Sequence, residues 1–530
     1  MLYLLAGSFF FRTFAATMIQ DELTYRIREA FGHTPTREQQ TAIDDFARFM
    51  TDRTERVVMV LKGAAGTGKT SLSAAIVKAL GTLGQKLVLL APTGRAAKVF
   101  SLFAGHAAFT IHRRIYRQKS LEGGFDLNYN AAQDTLFVVD EASMIANGQQ
   151  QGAVSIFAGG QLMDDLISFV YSGRNCRLML IGDTAQLPPV GETESPALQE
   201  GTLSSYGLHV YESRLTEVVR QSSESGILWN ATLVRRMMES GCWQWPQIRF
   251  EGFADIRSVR GDELIEELAS SYSRVGLDET IVVTRSNKRA NIYNDGIRRT
   301  VLDREDVLSS GDQIMIVKNN YYWLSANQPQ PSALSPQPSA LSPQLSALSP
   351  QPSALSPQPS AASPQPSAAM PRQTTAFIAN GDRAVVRRVR REQELYGFHF
   401  AEVTMVFPDY DDYELTATVM LDTLTSEAPA LTREQQDLLY NKVLADYADI
   451  PTKTERTKRL REDRYYNALQ VKFAYAATCH KAQGGQWAHV YVDQGYMTDE
   501  MLTPDYFHWL YTAFTRATER LYLVNWKNQR

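Results

Sequence analysis

The stretch 63-GAAGTGKT-70 stands between an apolar run, Val57–Leu61, and the helical pattern SLSAAIVKAL. Strand, glycine-rich loop and helix in this order are the context in which such a spacing binds phosphate. Glycines let backbone N–H groups converge on an anion, and the helix N-terminus adds a favourable dipole. Lys69 is expected to reach the β- and γ-phosphates and Thr70 to bind magnesium. The other residues of the predicted cradle are Gly63, Ala64, Ala65, Gly66, Thr67 and Gly68.

A pair of acidic residues follows a second apolar run, in 136-LFVVDEASM-144. A magnesium–phosphate site needs one carboxylate for the metal and a base for water. Asp140 is predicted to hold magnesium through its water shell, and Glu141 to polarise the attacking water. An Asp-Glu pair after a strand is also a common helix N-cap, so the pair gains its functional meaning from the phosphate-binding loop beside it.

Short apolar runs alternate with helical patterns along most of the chain, which predicts βαβ units and a parallel sheet. The first set of strand-like runs is RVVMVLKG, KLVLLAPT, TLFVVDEA and CRLMLIGD. A later set, TIVVTRS, HVYVDQG and LYLVNW, predicts a second such sheet. Between them a small antiparallel barrel is expected from GDQIMIVKN, GDRAVVRRV, FAEVTMVF and YELTATVML. The predicted fold class is therefore α/β with an inserted β-barrel.

The bulk properties are those of a globular chain with several domains. Its 530 residues exceed one core, and 54 basic against 58 acidic residues give a net charge of −4. Any nucleic-acid contact must therefore come from a local patch. Three scattered cysteines indicate a reducing compartment, and we expect a cytoplasmic protein without a membrane segment. Residues 1–17 are interpreted as an over-extended start, with Met18 as the natural first residue and an amphipathic helix after it.

Residues 331–365 repeat a seven-residue unit of the type PSALSPQ, and a partial sixth copy follows. Proline within the repeats excludes a coiled coil, and this composition cannot bury enough surface to fold. We expect a disordered spacer over 329–370. It is either a tolerated expansion of a surface loop or a docking strip for a protein partner.

Several further motifs resemble those of superfamily 1 helicases, and the likeness is strongest to the RecD-like branch that moves 5′-to-3′. The motifs occur in the family's order: APTGRAAK, TIHR, LIGDTAQLPPVG, LTEVVRQ, YAATCHKAQGGQW and YTAFTRAT. The resemblance implies two RecA-like motor domains with ATP and Mg²⁺ in the cleft between them. The first motor domain is expected over 18–212, and the second over 213–305 and 466–530. An SH3-like barrel region would be inserted at 306–465.

The resemblance also implies roles in the nucleotide cleft. Gln39 corresponds to the glutamine that contacts adenine, with Gln40 as the alternative. Gln186 would sense the γ-phosphate and link it to DNA. Arg220 and Arg516 would enter from the second motor domain as arginine fingers that neutralise transition-state charge; a surface salt bridge is the alternative for each.

For the DNA strand, the resemblance implies contacts from loops at strand ends. The expected contacts are Pro92, Thr93, Gly94, Thr110 and His112 in the first motor domain, and Thr284, Arg285, Asn291, Thr478 and His480 in the second. Lys481, Gln483 and Gly484 would connect the strand to the nucleotide cleft. A surface helix with basic residues is the alternative for the segment 282-VVTRSNKRAN-291.

The adjacent Cys479 and His480 first raise two other possibilities, a metal site and a Cys-His nucleophile. A metal would need further ligands at suitable spacing, and no nearby Cys or His pair supplies them. A nucleophile would need an acyl-type substrate that nothing else in the sequence suggests. We therefore interpret 475-YAATCHKAQGGQW-487 as a loop that couples nucleotide to DNA, with Cys479 as a small buried side chain.

Two inserted features complete the resemblance. Residues 115–134 would form the β-hairpin that RecD-like helicases use as a strand-separating pin, with Gly123-Gly124 at its turn; a plain surface hairpin is the alternative. The long spacer is a departure from the family's SH3-like domain, and the acidic 407-FPDYDDYE-414 is not expected to face DNA.

The sequence therefore predicts an ATP-dependent DNA helicase that acts on single strands and duplex junctions, as a monomer, in DNA repair, recombination or replication. Two alternatives stay open. One is a helicase for RNA or RNA–DNA hybrids, because the motifs mostly contact the backbone. The other is a binding module in which the nucleotide only gates assembly with a partner.

Overall fold

Strands and helices alternate through most of the chain. The computed structural model describes residues 2–120, 123–147, 162–219, 224–320, 322–326 and 378–526. The strands are β1 (Val57–Gly63), β2 (Lys86–Ala91), β3 (Ala108–Thr110), β4 (Tyr116–Ser120), β5 (Gly123–Leu127), β6 (Thr135–Val139), β7 (Arg177–Gly182), β8 (His209–Leu215), β9 (Ile256–Val259), β10 (Thr280–Thr284), β11 (Gln313–Ile316), β12 (Arg383–Leu395), β13 (Phe398–Phe407), β14 (Tyr413–Met420), β15 (Leu469–Phe473), β16 (Ala476–Thr478), β17 (Trp487–Asp493) and β18 (Ala517–Val524).

The helices fill the connections between these strands. They are α1 (Leu2–Phe31), α2 (Arg37–Thr51), α3 (Lys69–Thr82), α4 (Gly94–Ala104), α5 (Ile111–Ile115), α6 (Leu162–Ser172), α7 (Glu200–Ser205), α8 (Gly226–Glu239), α9 (Leu264–Val275), α10 (Asn287–Gly296), α11 (Tyr322–Ala326), α12 (Asp422–Thr425), α13 (Arg433–Ala445), α14 (Lys453–Arg461), α15 (Cys479–Ala482) and α16 (Pro504–Phe514). Single turns of 3-10 helix occupy Ala142–Met144, Pro196–Leu198, Pro408–Tyr410 and Asp499–Met501, and a π-helical turn spans Ile297–Val301.

The first sheet is parallel and has the strand order β3-β2-β6-β7-β1-β8. Strands β1 and β6 are buried along their whole length, as expected when helices cover both faces of a parallel sheet. The four strands predicted for this sheet are confirmed. Because the carboxyl ends of parallel strands meet at one edge, the loops after β1, β2, β6 and β7 lie together there.

The second sheet is also parallel, with the order β16-β10-β17-β18-β9. Its core includes residues of helix α16 such as Phe507 and Leu510, which are fully buried. The predicted fold class, α/β with two parallel sheets, is confirmed.

The predicted barrel is present and closed, formed by β11, β12, β13, β14 and β15. Four of its strands match the predicted runs and pair antiparallel. The fifth strand, Leu469–Phe473, was not predicted, lies beyond the expected boundary at residue 465 and pairs parallel with β14. Its sequence LQVKF places Gln470 and Lys472 at buried positions, which hides the hydrophobic pattern of a strand.

The hairpin expected over 115–134 is present as the antiparallel pair β4 and β5. The prediction of its turn was wrong. Ser120 pairs with Gly123, so both glycines already belong to the second strand, and residues 121 and 122 between them lie outside the described ranges.

At the N-terminus one helix, α1, runs from Leu2 to Phe31 and includes the helix predicted to begin at Met18. In the described ranges, none of the helices combines the length and hydrophobicity that crossing a bilayer requires. The repeat at 329–370 and the predicted arginine finger Arg220 lie outside the described residues.

Candidate functional site

The loop from Gly63 to Thr70 wraps tightly at the end of β1. Gly66 and Gly68 adopt φ of 79° and 82°, a left-handed conformation that glycine adopts without a steric cost. A Cβ at Gly63 would lie 2.8 Å from Cγ of Lys69, and one at Gly68 would lie 2.7 Å from Nε2 of Gln39. The glycines are thus required by backbone conformation and by close packing, which together wrap the backbone of the loop around a cradle.

Lys69 begins helix α3 and turns its ammonium group back over this cradle. Its Nζ donates to the carbonyl oxygens of Gly63 at 2.6 Å and Ala64 at 2.9 Å. The carboxylate of Asp183 lies 3.8 Å from the same nitrogen. An ammonium group held by loop carbonyls is positioned to exchange these partners for phosphate oxygens. Thr70 follows at the start of α3 and is partly exposed.

Gln39 supports the loop from helix α2. Its Nε2 donates to the carbonyl of Thr67 at 3.0 Å, while its Oε1 accepts from the N–H of Thr36 at 3.0 Å. The side chain is almost completely buried. Gln40, the alternative, donates to Asp44 instead, so only Gln39 of this pair contacts the phosphate-binding loop.

Asp140 and Glu141 stand at the end of β6, beside the loop. Burial, with the charge of Glu141 added, raises the pKa of Asp140 to about 7, although the Lys69 ammonium opposes this shift. The N–H of Glu141 donates to Asp140 at 2.9 Å. Glu141 itself has φ of 52°, an uncommon conformation for a residue with a side chain. Thr70 and Asp140 offer oxygen atoms, which are the ligands that magnesium prefers when it is bound together with phosphates.

Asp183 also faces the loop, and its role was not predicted. It directly follows the buried strand β7, is 2% exposed, and accepts from the N–H of Ala185 at 3.0 Å. The segment LIGDTAQLPPVG contains the pattern that led to the prediction for Asp140. In both segments an acidic residue directly follows a buried strand. In the same segment Gln186 is buried, and its Oε1 accepts from the hydroxyl of Ser143 at 3.3 Å.

Arg516 brings a buried guanidinium from the second sheet to this edge of the first. Its Nη1 lies 3.9 Å from Oε1 of Glu141. Its Nε and Nη1 donate to the carbonyl oxygens of Thr512 and Gly485, each at 3.0 Å. The structure therefore brings Lys69, Glu141 and Arg516 together at one cleft.

Tyr511 connects the two halves of the cleft directly. Its hydroxyl accepts from the N–H of Ala65 at 2.8 Å and donates to the carboxylate of Asp183 at 2.7 Å. Burial, with the charge of Asp183 added, raises the pKa of Tyr511 well above its usual value, so the hydroxyl stays a donor. The neighbouring Thr512 accepts from the N–H of Leu187 at 2.7 Å.

Removing the hydroxyl in Tyr511→Phe is expected to lower the free energy of unfolding by about 1–3 kcal/mol, because a buried N–H and a buried carboxylate lose their shared partner. Denaturant unfolding followed by tryptophan fluorescence measures the loss. Tyr506→Phe on the same helix is the matched control, since its hydroxyl bonds only the side chain of Gln494. Equal losses of unfolding free energy in the two variants would show that the hydroxyl of Tyr511 stabilises the protein no more than that of Tyr506.

The coupling loop joins both sheets at a second point. Gln483 donates to the carbonyl of Leu187 at 2.9 Å. Gly484 has φ of 76°, and a Cβ there would lie 3.0 Å from Oγ1 of Thr93. Cys479 is fully buried, as predicted, and burial raises the pKa of its thiol to about 12. A thiol that stays protonated is a poor nucleophile.

The polar residues of this loop differ in their surroundings. His480 is exposed and Thr478 is partly exposed. Nζ of Lys481 is buried and has no hydrogen-bond partner among the residues that the structure describes. Burial, with a contribution from Lys472, lowers the pKa of Lys481 to about 8.

The predicted strand contacts of the first sheet lie at helix starts. Thr93 caps α4 by accepting from the N–H of Ala96, directly after Pro92, and Thr110 caps α5 by accepting from the N–H of Arg113. Burial lowers the pKa of His112 to about 4. Its ring is therefore neutral at physiological pH and offers a hydrogen bond to a strand rather than a charge.

Two of the predicted contacts in the second sheet have structural partners instead. Thr284 is 0% exposed, and its hydroxyl donates to the carbonyl of Ser286 at 3.1 Å. Asn291 donates to the carbonyl oxygens of Thr425 and Ser426 at 2.7 and 2.9 Å. Both side chains are occupied within the protein, so this conformation does not present them to a strand. Arg285 is exposed and lies over the ring of Tyr506.

Gly94 is covered by the acidic turn of the barrel. A Cβ at Gly94 would lie 2.6 Å from Oη of Tyr410 and 2.7 Å from Oδ1 of Asp382. Lys98 on the same helix donates to the carbonyl of Pro408 at 2.7 Å. The acidic turn therefore lies against a residue predicted to contact the strand, and that this segment does not face DNA stays a prediction.

Replacing Gly94 by alanine is expected to separate this turn from helix α4 and to lower the apparent Tm by several degrees, because overpacking costs about 1–3 kcal/mol. Thermal unfolding measures the effect. Gly81→Ala in helix α3 is the control, since a Cβ there meets no atom within 4 Å; it should be neutral or slightly stabilising. An unchanged Tm for Gly94→Ala would contradict the tight contact.

The same contact is expected to depend on pH. Burial raises the pKa of Asp382 to about 7, although its hydrogen bond from Tyr410 opposes the shift. Between about pH 4 and 7 the folded state therefore binds more protons than the unfolded state, and stability falls as pH rises, by up to about 1.4 kcal/mol per pH unit. Asp382→Asn should flatten this slope in unfolding experiments from pH 5 to pH 8. Asp411→Asn, at an exposed position, should leave it unchanged; identical slopes in both variants would refute the assignment.

Comparison with known proteins finds family models and relatives that match parts of the chain. Residues 35–239 match the model described as an AAA domain, and residues 473–524 match the UvrD-like helicase C-terminal domain. The chain is 33% identical over 172 residues to the ATP-dependent RecD2 DNA helicase of Deinococcus radiodurans, a match that covers 32% of this chain and 21% of that protein. It is 28% identical over 272 residues to the ATP-dependent DNA helicase dda of Enterobacteria phage T4, covering 49% of this chain and 56% of the relative.

These matches make parts of the chain similar to superfamily 1 helicases. The residues described above lie where the edges of the two parallel sheets meet. The aligned segments span about a fifth and about half of the two curated relatives. A crystal structure of Pif1 helicase from Bacteroides in complex with ADP-AlF3 and ssDNA is 13% identical, with a TM-score of 0.41 and 93% of each chain covered.

Proposed function

We propose that this protein is a superfamily 1 helicase that hydrolyses ATP to move 5′-to-3′ along single-stranded DNA and to separate duplex. The observation that carries the proposal is the composite cleft, in which Arg516 of the second sheet lies 3.9 Å from Glu141 of the first. The charged groups of such a cleft come together only when its two halves close. A motor that couples hydrolysis to domain movement needs this dependence. Both curated relatives are ATP-dependent DNA helicases, which supports the same conclusion.

Within this proposal, bound ATP supplies the reacting phosphate, and magnesium would neutralise negative charge on the phosphates. Lys69 and the loop N–H groups hold the phosphates, and Thr70 and Asp140 hold the metal. Gln39 orients the loop and the adenine. Glu141 would accept the proton of the attacking water, and the guanidinium of Arg516 lies 3.9 Å from its carboxylate.

Three groups then link the nucleotide to the rest of the motor. Arg516, joined by Arg220, stabilises the transition-state charge. Gln186 and the coupling loop, through Gln483 and Gly484, transmit cleft closure to the strand. Tyr511 joins the same relay, because its hydroxyl bonds both the phosphate-binding loop and Asp183.

The strand path is assigned to the predicted motifs at the helix starts. In the first domain Thr93, Gly94 and Thr110 would offer backbone and hydroxyl donors to phosphate, with Pro92 and His112 beside them. Thr478, His480 and Lys481 do so in the second domain. We assign the motor domains to 18–212 and to 213–305 with 474–530, the pin to 115–134, and the barrel region to 306–473, because the barrel includes its fifth strand, Leu469–Phe473.

We also propose that the protein works as a monomer in the cytoplasm, in DNA repair, recombination or replication. Three free cysteines in the described residues, Cys176, Cys242 and Cys479, suit a reducing compartment.

The deciding experiment is ATP-dependent unwinding of one short duplex that carries either a 5′ or a 3′ single-stranded tail. Unwinding from the 5′ tail alone is expected. Unwinding from the 3′ tail alone would keep the helicase and overturn the direction. ATPase activity stimulated by DNA without unwinding of either duplex would identify a translocase or a partner-dependent motor. Matched RNA tails in parallel test the alternative substrate.

A further inference from the structure

A row of arginines lies on the outer part of the barrel, away from the cleft. Strand β12 carries Arg387, Arg388, Arg390 and Arg391, all exposed, within the sequence RAVVRRVRREQEL. Its first residue, Arg383, is buried beside the motor. In a chain with a net charge of −4, four cations within five positions make a local basic surface, which we call the arginine strand.

The backbone of the arginine strand is irregular. Its pairing with β13 shifts register between Val386 and Arg388, and again between Arg390 and Gln393. Arg391 has φ of 51°, a left-handed conformation that is uncommon for a residue with a side chain. Such bulges twist a strand and change the direction of its side chains. Here they turn consecutive arginines toward the same region, which simple alternation along a strand would prevent.

These arginines line one side of a cavity of about 520 Å³. The opposite side is formed by the segment before β11, with Ser309 and Ser310, and with Asp306 at the rim. The hydroxyl of Ser310 donates to the carbonyl of Arg387 at 2.8 Å, which ties this segment to the arginine strand.

The charges of the arginine strand are mostly unneutralised by the protein. Arg391 lies 3.5 Å from Glu402. Over the described ranges, no carboxylate lies within 4.0 Å of the guanidinium groups of Arg387, Arg388 or Arg390. Guanidinium groups bind phosphate with two parallel hydrogen bonds and lose less hydration than ammonium groups do. Unpaired arginines beside serine hydroxyls therefore favour a phosphate ligand.

The length of the row indicates a polymer rather than a single phosphate. Four steps of a strand, at about 3.3 Å each, span about 13 Å. Successive phosphates of one B-DNA strand rise about 3.4 Å along the helix axis, and because the backbone winds around that axis they lie about twice as far apart in space. The row therefore reaches about two or three of them. A small anion would use one or two of these cations and leave the others unpaired.

We infer that the arginine strand binds a nucleic-acid backbone outside the motor cleft, either the duplex arm ahead of the motor or the strand displaced from it. This inference deepens the proposed function and rests on it for the kind of ligand. The contact is with phosphate and sugar, so it carries no sequence preference. Its role is to hold the fork against the barrel while the motor advances along the other strand.

The test compares Arg387→Ala/Arg388→Ala/Arg390→Ala with a control that removes the same charge elsewhere, Lys78→Ala/Arg236→Ala/Lys442→Ala, from scattered exposed positions. Binding of a fork, a blunt duplex and a short single strand is measured by fluorescence anisotropy at several salt concentrations. The slope of log K against log salt on the fork should fall by about 2.7 for duplex contacts or about 2.1 for single-strand contacts. Binding of the short single strand, and the ATPase rate it stimulates, should stay at the wild-type value.

Each result has a definite meaning. Loss on the blunt duplex as well as the fork identifies the duplex arm, and loss on the fork alone identifies the displaced strand. Wild-type slopes in the arginine variant, or equal losses in the control variant, would overturn the inference while the helicase proposal stands. If the wild-type protein binds none of the three substrates, the proposed function itself fails.

Discussion

Lys69→Ala is expected to lower the rate of ATP hydrolysis by at least about 10³-fold, because the ammonium group is the side-chain cation that lies over the phosphate cradle. The effect on folding should be small. Its Nζ donates to two carbonyl oxygens, and one of these, that of Ala64, also accepts from Thr67 at 2.8 Å. Alanine is moreover well suited to the first turn of α3. Steady-state ATPase assays with and without DNA measure the loss.

Lys78→Ala is the matched control, since Lys78 lies on the same helix and points to solvent. It should hydrolyse ATP at the wild-type rate. Circular dichroism and thermal unfolding of both variants separate a loss of chemistry from a loss of structure. Normal turnover by a folded Lys69→Ala protein would refute the assignment of the nucleotide site.

Arg516→Ala is expected to lower hydrolysis by about 10³- to 10⁵-fold, the range over which an arginine finger acts. ATP binding should change little, because the guanidinium acts on charge that develops in the transition state. Single-turnover hydrolysis and binding of a fluorescent nucleotide distinguish the two steps. A parallel fall in affinity and rate would show that Arg516 acts in ground-state binding instead.

Truncation of Arg516 also removes its hydrogen bonds to Thr512 and Gly485, so a conservative variant is needed. Arg516→Lys keeps the charge in the buried site but loses the planar fork, and should stay folded with an intermediate rate. Arg520→Ala, further along β18, controls for general loss of charge from this domain. If Arg516→Lys is folded and fully active, a single point charge is sufficient and the geometry of the fork is irrelevant.

Local patterns of the chain were sufficient for most of the fold. Buried strands of a parallel sheet are continuous apolar runs, so β1, β2, β6 and β7 could be identified from residues alone. The fifth barrel strand escaped because Gln470 and Lys472 interrupt its pattern. Both are buried polar residues whose partners, the N–H of Leu431 for one and the carbonyl of Thr423 for the other, come from distant segments.

The residues of the candidate site also fall into two groups, those that a local pattern predicts and those that only the packing shows. Residues that act within one strand–loop–helix unit, such as Lys69 and Asp140, were identified because their spacing is local. Asp183 was within reach of the same reasoning and was overlooked. Tyr511 was not within reach, since a tyrosine in an apolar helix shows no sign that its hydroxyl bonds a loop 446 positions away in the chain.

By itself the sequence predicted the two parallel sheets, the inserted barrel, the phosphate-binding loop and the acidic pair, because each of these is marked by a pattern of residues near one another in the chain. Only the tertiary structure decided that Arg516 reaches Glu141, that the barrel's acidic turn covers Gly94, and that Thr284 and Asn291 are occupied within the protein. These outcomes depend on how separate segments pack, and the free energy of such contacts is set by distance and burial that no local pattern records.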